Sequence, residues 1–293
     1  MQLLILRIIS LVGIALVYML FDVFNKRNVP TLFVYGTFVY GFFLTVLYFN
    51  FNLILESCGI ALAVVGIGYL LYKIGQLGGA DVVEFAALSL ILPIQISPLI
   101  LSNANQFGLP FIMSMVVNTG IIALIIVPIY YLPIARRKMK RSFGSVMEHR
   151  NIILALSLVA FYLAFIVFAT YMVGLSSIGI VILLIMMASS ALVMLFSVPI
   201  TYAMVEYVPV RKFDEGDIIA VNLMGQKELK AWKTKIKGFN RLVTSKTIRE
   251  LEAKRVKDRF PVYKNAMPFA LPIFLALVFS LTIGNLMLLI LRI

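Results

Sequence analysis

Gly75-Gln76-Leu77-Gly78-Gly79-Ala80-Asp81 is a glycine-rich turn that ends in an acid, and it falls where one hydrophobic stretch stops and the next begins. An aspartate at membrane depth costs about 2.5 to 3.5 kcal/mol even on insertion scales, so such a residue is read as functional and as having a partner. The partner indicated is Asp22, which ends the first hydrophobic stretch and is followed by the charged, turn-like Asn25-Lys26-Arg27-Asn28-Val29-Pro30. Two acids at the same end of two spans form a candidate aspartyl dyad.

Composition sets the class around that pair. Of 293 residues 62% are hydrophobic and 13% charged, with a mean hydropathy of +1.02, which excludes an ordinary soluble domain. A helix needs about 20 apolar residues to cross a bilayer. Stretches of that kind occupy 2–21, 31–49, 52–72, 82–101, 110–134, 151–171, 178–205 and 267–290. They predict an all-α polytopic membrane protein of about eight transmembrane helices. None alternates as an outer-membrane strand does. The first has neither a basic leading region nor a small-residue cleavage site, so it reads as a retained helix. The organisation expected is a membrane core over 1–135 with both aspartate motifs, a basic loop and two further helices over 136–205, a basic cytoplasmic segment over 206–266, and a last helix over 267–293.

Lys and Arg concentrate in cytoplasmic loops. Lys26 and Arg27 follow the first stretch, Lys73 the third, Arg136 to Arg141 and Arg150 the fifth, and the remainder lie between the seventh and eighth, with Arg7 and Arg292 alone elsewhere. Every second loop is basic. Both termini are thus expected outside, with Asp22 and Asp81 at the cytoplasmic face of a cell membrane. The net charge of +13 follows from this topology, so no nucleic-acid partner is expected; the basic loops would face anionic lipid heads.

Several chemistries are excluded. Cys58 and His149 are the sole residues of their kinds, so there is no disulfide framework, no Cys-x-x-Cys zinc site and no His-Glu-x-x-His metalloprotease. A Ser-His protease fails with them, because His149 sits in a loop between Glu148 and Arg150. No phosphate-binding glycine loop or dinucleotide fingerprint occurs. No metal and no cofactor is expected. What remains in or beside the early spans is Asp22, Glu56, Asp81 and Glu84. Glu56 belongs to the opposite end. Glu84 lies one helical turn beyond Asp81 and so faces the same way, either supporting the site or favouring a helix N-terminus. Gly78, Gly79 and Ala80 permit a turn and a close approach of backbone or substrate; alternatively Asp81 merely caps a helix.

These residues carry a resemblance. Asp22 with Lys26, Arg27, Val29 and Pro30 behind it, then Gly78-Gly79-Ala80-Asp81, resemble the two aspartate motifs of the type IV prepilin peptidase family, membrane aspartyl proteases with a Gly-x-Gly-Asp signature. The cysteine-poor, single-domain form is similar to the archaeal prepilin and preflagellin branch. Ala80 stands where the signature has its second glycine, and Val83, with Glu84 next to it, stands where a lysine is frequent. The resemblance implies an aspartic endopeptidase that cleaves class III signal peptides from pilin-like or archaellin-like precursors, each with a basic leader before an apolar helix. Asp22 and Asp81 would be catalytic, with Gly78, Gly79, Ala80 and Glu84 in support. With one cysteine, no N-methyltransferase activity is expected. The oligomeric state and the purpose of the two extra helices stay open.

Two other classes fit part of the pattern. A non-enzymatic scaffold of a pilus or archaellum machine would leave Asp22 and Asp81 apart, and a small-solute or proton transporter would hold its acids near the bilayer midplane. Within 206–266, the Asp214-Glu215-Gly216-Asp217 turn and the β-branched run after it predict a local strand pair, and 226–257 predicts amphipathic helices.

Overall fold

The structure, a computed structural model, describes residues 2–25, 29–47, 50–74, 77–93, 96, 98–100, 110–139, 148–224, 229, 243–253 and 259–290. The basic residues Lys26, Arg27, Lys140 and Arg141, the turn residues Gly75 and Gln76, loop 102–109 and most of the amphipathic stretch 226–257 lie outside these.

Among the described residues five helices are long and apolar enough to cross a membrane: α1 (Gln2–Phe24), α3 (Phe51–Ile74), α5 (Phe111–Lys138), α6 (His149–Met172) and α7 (Ser177–Leu195). Helix α2 (Thr31–Val46) is apolar but shorter. The chain is a multi-pass membrane protein by length and composition, but among the described residues the eight spans read from the sequence do not all appear as single long helices.

Three of the expected spans are cut short. The fourth, expected over 82–101, is helical among its described residues as α4 (Gly79–Ile91) alone. Its 13 residues rise about 20 Å against a hydrocarbon core of about 30 Å. The cause is Pro93, because the residue before a proline is driven out of helical geometry and Leu92 takes φ −131, ψ 77. The seventh, expected over 178–205, divides into α7 and α8 (Ser197–Met204), with Pro199 in the first turn of α8, where a missing N–H costs nothing. The eighth, expected over 267–290, divides into α10 (Ala270–Thr282) and α11 (Leu286–Ile290) at Gly284, whose φ of +96 suits only glycine well.

That last break is held by α5. Buried Asn118 donates from Nδ2 to Ser280 Oγ and to the Gly284 carbonyl, both at 2.9 Å, while its Oδ1 accepts the Leu286 N–H at 2.9 Å. The backbone groups freed by the break are thereby satisfied inside protein, as irregular backbone at membrane depth requires. Past Pro93 and Pro98, Leu99 and Ile100 donate to the carbonyls of Leu281 and Thr282 at 3.1 and 2.8 Å, so the ends of α4 and α10 are joined.

Helix α4 is the centre of the fold. From Val82 to Leu92 every residue except Val83 is buried, because α2 and α3 close on it through glycines. A Cβ on Gly41 would meet the Ala87 carbonyl oxygen at 2.9 Å, and one on Gly68 would meet Val82 Cγ1 at 2.5 Å. Small residues permit this approach. Leu11 and Ala15 of α1, Leu44 of α2, Phe85 and Leu88 of α4, Met115 of α5 and Ile273 of α10 share one core.

Arg7 locks the end of α4 farther from Asp81. This guanidinium is fully buried, donates to the Ile91 carbonyl at 2.7 Å and also bonds the Leu44 carbonyl. It thus sits on the C-terminal ends of α4 and α2, where a cation is favoured. Read from sequence as a terminal charge on the outer side, it is a structural clamp. The two extra helices pack on each other, and α7 also packs on α5 and α11. Ser176 Oγ donates to the Leu289 carbonyl at 3.0 Å, which ties α11 to the start of α7.

The polar segment has a small core of its own around Val210, Ile219, Leu251 and Val262. Its strands are not the local pair expected: β1 (Glu206–Pro209) runs antiparallel to β2 (Arg259–Val262), and Ile219 bridges Val262 separately. Pro209, which cannot donate, ends β1 in a 3-10 turn over Val210–Lys212. Of the amphipathic stretch, Ser245–Ala253 forms helix α9. Lys264 pairs with Asp214 at 2.5 Å and Asp217 at 2.7 Å. Burial works against its charge, but the hydrogen bonds and negative charges of both aspartates outweigh that and hold its ammonium above the ordinary lysine range.

Candidate active site

Asp22 lies in the last turn of α1 and is buried, 7% exposed. Its Oδ2 accepts the backbone N–H of Ala270, the first residue of α10, at 2.9 Å. The first N–H groups of a helix have no partner within it and carry partial positive charge. A carboxylate from a distant helix supplies both acceptor and countercharge here, at an interface lined by Tyr18, Val34 and Ala270 with Ala80 and Val83 packed alongside.

Asp81 is the third residue of α4 and half-buried. Its Oδ2 accepts the backbone N–H of Gly78 at 3.1 Å, so the carboxylate folds back over its own helix start. Glycine at 78 is what makes the room, since a Cβ there would lie 2.7 Å from Asp81 Oδ2. At Gly79 a Cβ would meet only the Tyr72 ring, at 3.6 Å. The capping reading of Asp81 and its placement at a site therefore coexist in one geometry.

Asp22, Asp81 and Glu84 are near enough for their charges to act on one another, and Asp81 and Glu84 also act on Tyr18. Tyr18 stands one turn before Asp22, is 1% exposed, and its hydroxyl lies 2.9 Å from Thr37 Oγ1. Thr37 gives its own proton to the Val34 carbonyl at 2.8 Å, so Tyr18 is the donor of the pair. Glu84 is fully buried, and neither of its carboxyl oxygens has a hydrogen-bond partner.

The structure thus brings together Asp22, Gly78, Gly79, Ala80, Asp81 and Glu84. It leaves Glu56 exposed near the start of α3 and His149 exposed at the start of α6. Sequence reasoning missed Tyr18 and Thr37, whose signal was polar side chains within apolar helices, and Ala270, which contributes only a backbone group. Among the described residues no group of three or more His, Cys, Asp or Glu has the arrangement of a metal site.

Fold and site together define a multi-pass membrane protein with acids from two separate helices gathered at one end of the bundle. Residues 9–127 match the type IV leader peptidase family. Over this stretch, which holds both aspartates, the chain is prepilin- and preflagellin-peptidase-like, and the family is one of peptidases. Neither the curated proteins nor the solved structures give a match.

Proposed function

We propose that this chain is a membrane aspartyl endopeptidase that removes class III signal peptides from pilin-like or archaellin-like precursors at the cytoplasmic face, with Asp22 and Asp81 as its catalytic pair. The observation that carries the reading is that Asp22 of α1 and Asp81 of α4 stand at the same end of the bundle, within reach of each other's charge, inside the family-matched stretch. Two carboxyls brought around one water do not both ionise readily, so in the working enzyme the pair shares a proton. One carboxylate takes a proton from water, which attacks the scissile carbonyl; the other gives its proton to the carbonyl oxygen and the C–N bond then breaks. Which aspartate takes which part belongs to the pair as a unit.

The backbone N–H group of Gly78 holds one oxygen of Asp81 and that of Ala270 one oxygen of Asp22, which fixes the orientation of both side chains. Gly78, Gly79 and Ala80 provide a low backbone over which an extended peptide can pass, and Glu84 supports the pair from below. A precursor with an apolar helix after its cleavage point would lie in the bilayer and present its basic leader at the boundary where both acids stand. The polar network at the broken helix offers no comparable proton relay: Asn118, Ser280 and Gly284 there are uncharged.

The test is co-expression with a precursor that carries a basic, glycine-ending leader, comparing the parent chain with Asp22→Asn and Asp81→Asn. Conversion to the shortened form by the parent and by neither variant is expected. Cleavage by either variant at the parent's rate sinks the dyad.

A further inference from the structure

We propose that Tyr18 is a positioning residue for the aspartate pair: its hydroxyl, latched to Thr37 of α2, sets where the Asp22 end of α1 stands relative to α4 and so to Asp81. This rests on the peptidase reading above and adds to it a residue that acts through Asp22.

The backbone bonds that orient the two carboxylates do not set the distance between their helices. Asp81 accepts from Gly78 at the start of its own helix, and Asp22 accepts from Ala270 of α10. Far from the acids, Arg7 fastens α1 to α4 directly through the Ile91 carbonyl. Nearer the acids the polar bonds of α1 go to α2 instead. Ser10 Oγ lies 2.8 Å from the Tyr40 hydroxyl and, closer still to Asp22, Tyr18 donates to Thr37 Oγ1 at 2.9 Å. Helix α2 is in turn fixed on α4, since Gly41 leaves no room for a Cβ against Ala87 and Thr45 Oγ1 lies 2.7 Å from the Leu90 carbonyl oxygen. Helix α2 is therefore a frame common to both acids, and Tyr18 fastens α1 to it one turn before Asp22, on the same face of the helix.

This fastening is directional, whereas its surroundings are not. Tyr18 belongs to the apolar cluster of Val34 and Ala270, against which Ala80 and Val83 pack. Its ring lies 5.1 Å from that of Phe33, which lies 5.6 Å from that of Phe21. Apolar contact of this kind tolerates a small slide or turn of α1, but a hydrogen bond weakens steeply when it is bent. A phenylalanine would fill the same space, and hydroxyls buried in an apolar interface cost free energy unless they are matched. Tyr18 is 1% exposed and Thr37 5%; they match each other, and Thr37 is itself oriented by its bond to the Val34 carbonyl. The hydroxyl pair thus orders the last turn of α1, and Asp22 with it. A bond that served stability alone would leave the rate of the chemical step untouched.

The test is kcat and KM of precursor cleavage by the reconstituted chain for the parent, Tyr18→Phe, Thr37→Val, the double variant and Thr37→Ser. Tyr18→Phe and Thr37→Val are each expected to lower kcat about tenfold or more while KM stays within about twofold. The double variant is expected to lose no more than either single one, because both remove the same bond. Thr37→Ser, which keeps the hydroxyl, is expected to cut as the parent does. A kcat retained by Tyr18→Phe, with or without a lower melting temperature, overturns the proposal, and so do additive losses. A second measurement does not depend on activity: the distance distribution between spin labels on Phe24→Cys and Ile74→Cys, exposed at the ends of α1 and α3, in a chain carrying Cys58→Ser. Tyr18→Phe is expected to widen that distribution; an unchanged one overturns the proposal. Failure of the parent to cut the precursor, or cutting by Asp22→Asn or Asp81→Asn, counts against the peptidase reading instead, and the spin-label comparison then decides by itself whether Tyr18 orders the Asp22 end of α1.

Discussion

The carboxylate of Asp22 accepts the backbone N–H of Ala270 at 2.9 Å, across 248 positions of the chain. Helices α1 and α10 are thereby joined at the end of the bundle where Asp81 also stands. Replacing Asp22 by Asn keeps the shape and an acceptor oxygen but removes the charge. Asp22→Asn is therefore expected to accumulate in membranes as the parent does and to lose cleavage by at least about a hundredfold, read as the ratio of precursor to shortened product on immunoblots.

Gly78 and Gly79 separate a steric requirement from a general preference for small residues. A methyl at 78 falls on Asp81 Oδ2, whereas one at 79 makes ordinary contact with Tyr72. Gly78→Ala is expected to reduce cleavage about tenfold or more, and Gly79→Ala several-fold less, at equal protein levels. Equal losses in the two variants would show that the Asp81 carboxylate is not held in this orientation.

Arg7 bears two helix ends at once. Replacement by Met keeps much of the length and removes the donors to Leu44 and Ile91, leaving buried carbonyls without their cation. A loss of about 2 to 5 kcal/mol is expected, visible as earlier thermal unfolding in detergent. Retention of the parent's melting profile would contradict the clamp.

Asn118 joins three groups at the break between α10 and α11. Asn118→Leu, close in volume, strands the Leu286 N–H and the Gly284 carbonyl and is expected to cost about 1 to 3 kcal/mol. Gly284→Ala, forced to keep φ at +96, is expected to cost about 1 to 2 kcal/mol. Both are measured by the same melting experiment, and tolerance of both would mean that the break is dispensable.

The pairing of Lys264 with Asp214 and Asp217 carries a sign with respect to pH. Its ammonium is held above the ordinary lysine value, so the stabilisation is complete below about pH 10.4, the unfolded value, and is lost as pH rises through the folded one. Protease nicking of the 206–217 stretch is expected to change little between pH 7 and 9 and to rise only above that value. Lys264→Met should be nicked more at neutral pH.

Much of this was legible in the sequence. Apolar runs located the helices, and the alternation of basic loops set Asp22 and Asp81 at one end. What escaped was mostly punctuation and backbone. Pro93 and Gly284 were present as signals, but hydrophobicity alone carried the fourth and eighth stretches past them. Arg7 was counted as a terminal charge because a lone cation gives no hint of which carbonyls it will cap. Ala270 offers Asp22 a main-chain N–H, which any residue but proline has, so no side-chain pattern marks it. The strand pair failed on locality: the Asp214 to Asp217 turn reads as a hairpin, yet β1 ends at Pro209 and finds its partner at Arg259–Val262.

The clamp at Arg7 has a mechanical corollary. Fastened near one extremity by Arg7 to the ends of α4 and α2, and at the other by Asp22 to the start of α10, α1 is a strut whose two ends are pinned to different helices. A change at the Arg7 pin is therefore carried along the helix to Asp22, whereas Asp81 rides on a helix wedged between Gly41 and Gly68.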